Sequence, residues 1–138
     1  MQVKSMHVTV YESDGRKWHS KDIIHPSWDQ IESAIRKLDK FCHPFLWLFL
    51  TDSPEAAELA DLNIMGGEGD YWIDFQSETY YLNETGTDDK INIWTSDQGF
   101  SASDTRVCHD LETVVSIAKY FCEYGKHDPS VMWTNKRI

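Results

Sequence analysis

Two Cys-His dipeptides, Cys42-His43 and Cys108-His109, put thiol and imidazole side by side, and Cys122 follows further on. Thiolate and imidazole are zinc ligands. Their spacing opposes a shared metal, because neighbouring residues point to opposite faces of a strand and diverge by about 100° on a helix. No Cys-x-x-Cys accompanies them. Cys42 and Cys122 fall at the ends of apolar helix faces, where a free cysteine is ordinarily core filling. Pairing a Cys with a His for nucleophilic catalysis has no support beyond the presence of both residue types. Neither a metal nor a cofactor is expected.

Met65-Gly66-Gly67-Glu68-Gly69-Asp70 is glycine-rich and follows an apolar stretch. It lacks the Lys-Ser/Thr ending of a phosphate loop, and Glu68 and Asp70 would repel phosphate. A turn that needs positive φ is the simpler reading. Acidic pairs such as Asp88-Asp89 or Glu68 with Asp70 have the chemistry for acid-base work or calcium. On a run of short strands such carboxylates are usually solvated. A small enzyme using the Gly66–Asp70 turn and nearby carboxylates is the alternative reading, and a generic protein-binding adaptor is another.

Charge gives these carboxylates a second meaning. The 138 residues carry a net charge of −10. Between Asp52 and Asp97 lie twelve acidic residues and a single basic one, Lys90, so that segment holds −11 and the remainder +1. Such a surface repels nucleic acid and anionic membranes and attracts a basic partner. Glu68, Asp70, Glu78, Asp88, Asp89 and Asp97 are the expected contact carboxylates. Trp72, Tyr80 and Trp94 lie in the same segment, and those that alternation leaves exposed are expected anchors.

The elements that must position these residues follow from the pattern. The chain suits one domain, residues 1–138, and at 41% hydrophobic it is too apolar to be disordered. Val8 and Val10 alternate with polar residues, Ser13-Asp14-Gly15 signals a turn, and Lys17 to Ile24 returns, predicting a hairpin over 3–24. Ser27 with Gln30 forms a capping-box pattern opening a helix whose stripe is Trp28, Ile31, Ala34, Ile35, Leu38 and Phe41. Pro44 ends any helix, and Phe45 to Leu50 reads as a central strand covered on both faces. Pro54 to Ala60 suits a short helical turn. Leu62–Met65, Tyr71–Phe75, Thr79–Leu82 and Ile91–Trp94 read as an antiparallel meander. Asp110 caps a second helix with the stripe Leu111, Val114, Val115, Ala118, Phe121 and Cys122, ended by Gly125. The fold expected is α+β, a mostly antiparallel sheet of five to seven strands packed with two amphipathic helices. Trp28, Leu38, Leu48, Phe121 and Trp133 are expected to serve its core.

An odd count of three cysteines fits a reducing compartment. The alternating start MQVKSMHVTV is unlike a signal peptide, and Phe45–Leu50 is too short to span a membrane. A cytoplasmic location is expected, with no nucleic-acid or membrane partner.

The order of motifs from residue 27 to 133 resembles one family. It comprises Ile35-Arg36-Lys37-Leu38-Asp39, the strand Leu46–Leu50, Leu62-Asn63-Ile64-Met65-Gly66-Gly67 with Tyr71 after it, and Ala118-Lys119-Tyr120-Phe121 with Gly125 and Trp133. The chain is similar to the bacterial immunity proteins that accompany deaminase toxins in polymorphic-toxin and contact-dependent competition systems. The resemblance implies a cytoplasmic α+β protein, without catalysis of its own, that binds and blocks a cognate nucleic-acid-modifying toxin domain. It matches the family's glycine pair to Gly66 and Gly67 and its late tryptophan to Trp133, all three expected to be structural. The N-terminal hairpin lies outside it.

Overall fold

The computed structural model describes residues 1–97 and 99–137. The chain begins with β1 (Ser5–Tyr11) and β2 (Trp18–Ile24), followed by α1 (Trp28–Arg36) and β3 (Phe45–Phe49). A 3-10 turn at Pro54–Ala56 leads to β4 (Leu62–Gly67), β5 (Asp70–Phe75) and β6 (Thr79–Tyr81), and a second falls at Asp104–Arg106. Then come β7 (Lys90–Trp94), β8 (Phe100–Ser103), β9 (Val107–Cys108), α2 (Leu111–Tyr124) and β10 (Trp133–Thr134). Eight strands form one antiparallel sheet in the order β10-β6-β5-β4-β3-β1-β2, with β9 also on β5. The architecture is α+β, with a sheet one strand larger than the expected range.

Period-two alternation assigns the faces. Met6, Leu46, Leu48, Leu62, Ile64, Tyr71, Ile73 and Phe75 turn to one side and pack with Ile31, Ile35, Val114, Ile117 and Phe121 of the two helices. Leu38 joins this core fully, while Trp28 and Trp133 are partly buried against it. On the other side, Trp72, Tyr80, Ile93, Ala102 and Val107 make a second, smaller core beneath the β7–β8 hairpin. β2 is an edge strand and is exposed along nearly its whole length.

Four expectations are corrected. First, β7 does not continue the meander; it pairs with β8 in a separate two-stranded sheet. The edges it would need are taken, by β9 on β5 and by β10 on β6. Ile93 is buried and Ile91 half-buried against the Trp72 cluster instead. Second, α1 stops at Arg36 and does not reach Phe41. Lys40 has φ +71, and the Asp39 carboxylate accepts from the backbone N–H groups of Phe41 and His43, folding the chain away. Phe41 then lies over Gly15. Third, β3 is central but not fully covered, since Trp47 is only half-buried. Its outer face carries Trp47 stacked between His7 and Phe45. Fourth, Gly66 and Gly67 are the last residues of β4 and not the turn itself, which falls at Glu68-Gly69.

The glycine pair has a steric reason. Gly66 and Gly67 adopt φ +124 and +147. A Cβ on Gly67 would stand 2.5 Å from the Cα of Asp39, and one on Gly66 would collide with the Asp70 carbonyl oxygen. Backbone hydrogen bonds from Lys40 N–H to Gly66 O and from Gly66 N–H to the Pro44 carbonyl seal that approach. The pair therefore docks the loop after α1 onto the end of β4.

Both helices carry the expected caps. The Ser27 hydroxyl accepts from Gln30 N–H while the Gln30 side chain accepts from Ser27 N–H. Gly125 closes α2 at φ +69. Ser27→Ala removes one of the two capping bonds and is expected to cost about 1 kcal/mol. A shift of the urea midpoint at unchanged m-value would measure it.

Candidate binding site at the acidic end of the sheet

Each strand of the meander reverses direction, so its connections alternate between two ends. The Glu68-Gly69 turn lies at one end, together with Leu38–Pro44, the start of α2 and the far end of β1. Two further segments close over that turn. Asn83 N–H donates to Thr105 O, and Asp104 N–H donates to Asp89 O, joining residues 83–90 to residues 104–106. The Asp104 carboxylate accepts from Thr87 N–H at 2.9 Å. His109 then links this loop pair to the turn. Its Nδ1–H faces Asp70 Oδ1 at 3.0 Å and Gly69 O at 3.1 Å, and its Nε2–H faces Asp104 Oδ1 at 2.5 Å. Lys40 Nζ holds the other oxygen of Asp70 at 2.6 Å.

This network brings the segments that carry Glu68, Asp70, Asp88 and Asp89 together at one end of the sheet, with Asp104 added. Glu68, Asp88 and Asp89 are exposed, and among the described residues their carboxylates have no hydrogen bond or ion pair. Asp70 is partly neutralised by Lys40 and His109.

His109 is the fastener. The Asp104 carboxylate beside it raises its pKa, with Gly69 O and Asp70 adding to the effect. Asp104 is held below the ordinary carboxylate range, first by Thr87 N–H and then by His109. Both ring nitrogens face acceptors, so the bound form is the imidazolium, with no lone pair left to act as a base.

A histidine whose folded pKa is raised contributes fully below its unfolded value, near 6.5, and loses that contribution as pH climbs through the raised value. Asp104 works in the opposite sense, contributing above its unfolded value and losing that as pH falls through its lowered one. Melting of the parent against His109→Gln should therefore differ most below the unfolded value, at about pH 5–6, and converge as pH rises through the raised folded value. A difference that grows toward alkaline pH would contradict the fastener.

Asp97 and Trp94 lie at this same end of the sheet but outside the His109 network, and Glu78 lies at the other end. Asp97 is exposed and its N–H donates to Gly15 O, beside the far end of β1. Burial, and after it the Asp97 carboxylate, push the Tyr11 phenol up to about 12. Trp94 is half-buried between Tyr11 and Phe45 on the outer face. Glu78 lies in the β5–β6 turn, at the opposite end of the sheet. Trp72 and Tyr80 are corrected as exposed anchors: they are 3% and 5% exposed, packed under β8 in the second core. Trp133 is held structurally, its indole N–H donating to Asp128 O and its ring against Phe75 and Tyr81.

Asp104, His109 and Lys40 join the site without a signal in the acidic segment's sequence pattern. Asp104 and His109 fall after the acidic segment in sequence, and the sequence pattern marks His109 only as half of a Cys-His dipeptide. Alternation separates that dipeptide: Cys108 is buried under α2 while His109 faces the carboxylates. Burial pushes the Cys108 thiol up, and that of Cys122 to about 12, so neither is a ready thiolate. Among the described residues no group of three or more His, Cys, Asp or Glu is placed to hold a metal ion. No described helix is long and apolar enough to cross a membrane. A cleft of about 480 Å³ between the β1–β2 hairpin and α1 contains none of the expected contacts. No family model, curated protein or solved structure matches the chain.

Proposed function

We propose that this chain is an immunity protein that binds a cognate secreted toxin domain and neutralises it by covering a basic substrate site. The toxin class, a nucleic-acid deaminase, comes from the family resemblance of residues 27–133. The observation that carries the reading is the convergence of Glu68, Asp70, Asp88, Asp89 and Asp104 from three separate segments onto one end of the sheet. A domain that handles nucleic acid carries a basic channel, and a rigid array of carboxylates can occupy it as a phosphate mimic. Complementary charge also speeds encounter, which suits an inhibitor that must act before the toxin does. In this reading the protein has no catalytic step, and any zinc chemistry belongs to the toxin.

Co-expression tests this. Cells making the toxin domain encoded beside this chain should grow normally when the chain is present, and the two proteins should purify as a stoichiometric complex. Cell death at matched expression, with no complex recovered, would end the proposal.

A further inference from the structure

On the outer face of the sheet, beside the β7–β8 hairpin, lies a cleft of about 310 Å³ whose walls include Asn63, Trp72, Asp74, Trp94 and Arg137. Asp74 is 4% exposed. Its carboxylate accepts from Trp72 Nε1–H at 2.8 Å, Asn63 Nδ2–H at 3.0 Å and Ser77 N–H at 3.0 Å. All three donors are neutral, and no cation pairs with Asp74 among the described residues. Asn63 Oδ1 is buried with no hydrogen-bond partner. Buried charges are ordinarily paired and buried acceptors ordinarily satisfied. Here a carboxylate and an orphan carbonyl oxygen sit together beside an indole ring.

The chain itself supplies a guanidinium at the rim. Arg137 lies over the Trp72 ring, 6.0 Å from its centroid. Its backbone is anchored by Arg106, whose Nε–H reaches Lys136 O at 2.8 Å and Arg137 O at 3.1 Å.

We propose that this cleft is a guanidinium-binding site, with Arg137 resting at its mouth as a placeholder that an arginine side chain of the basic partner displaces. The inference rests on the partner being basic. Arginine fits and lysine does not: a planar guanidinium stacks on an indole and offers parallel N–H groups to two neighbouring acceptors. The burial of Trp72 and Tyr80 then has a use, since they shape the walls and floor of a socket and do not project as anchors.

The test needs no toxin. N-acetyl-arginine amide is titrated into the parent and into Arg137→Ala at constant ionic strength, following the Trp72 indole N–H resonance. N-acetyl-citrulline amide serves as the neutral isostere. The resonance should move saturably with the arginine probe and not with citrulline, and Arg137→Ala should bind about threefold tighter or better because the placeholder is gone. Arg137 is exposed, so the variant keeps the fold. An unmoved resonance in Arg137→Ala, or equal movement with citrulline, overturns the inference. Either failure leaves the acidic end untouched, whereas a working cleft with no toxin complex would keep the guanidinium site and remove the toxin domain as the source of its arginine.

Discussion

Phe121→Ala is expected to destabilise the protein by about 3–5 kcal/mol, from lost burial plus the cavity left behind. Phe121 is 2% exposed and stands edge-on to Phe75, with ring centroids 5.5 Å apart. Phe75 in turn contacts Trp133 and His127, so the void would open where α2, β5 and the segment leading to β10 meet. That cost is a large share of a typical domain's stability of about 5–15 kcal/mol. Urea denaturation measures it, and Tyr124→Ala on the same helix is the control. Tyr124 is 57% exposed, and its loss should stay within about 0.5 kcal/mol apart from contact with Tyr120. A Phe121→Ala variant that melts like the parent would mean the apolar stripe of α2 does not face the core.

Asp88→Lys combined with Asp89→Lys is expected to slow association with the toxin domain by about tenfold or more at low salt, and to flatten its salt dependence. Both side chains are exposed and without side-chain partners among the described residues, so the fold should be unaffected. The Asp89 contact that matters structurally is its backbone carbonyl, which accepts from Asp104 N–H whatever the side chain. Stopped-flow mixing at several salt concentrations separates the effects. A change confined to dissociation would indicate a short-range contact instead of steering. Unchanged kinetics would remove residues 88 and 89 from the interface.

Local signals were legible where the physics is local. Ser27 with Gln30, Asp110 with Gly125, and the hairpin around Ser13-Asp14-Gly15 each act within a few residues, and each is found where its chemistry places it. The alternation of Leu46 and Leu48 put them in the core, but nothing in that pattern says which part of the second face stays open. That depends on where the β7–β8 hairpin lands, and it covers Met65 and Trp72 but leaves Trp47 half-exposed. The same hairpin buried Trp72 and Tyr80.

The charge count shows a parallel limit. A segment holding −11 says nothing of direction, and the meander sorts it between two ends. Asp52, Glu55, Glu58, Asp61 and Glu78 fall on the β3–β4 and β5–β6 connections, while Glu68, Asp70, Asp88 and Asp89 fall at the other end. Asp104 joins the second group through tertiary contacts that span more than a dozen residues, which no local spacing reports.

Hydrogen exchange of the protein with and without its toxin domain tests the placement of the interface most directly. Binding through the acidic end predicts slowed exchange at residues 67–70, 83–90 and 104–110, with the exposed edge strand β2 and the β5–β6 turn unchanged. Protection confined to β2 and its neighbour β1, with the acidic end exchanging as in the free protein, would contradict it and move the interface to the N-terminal hairpin.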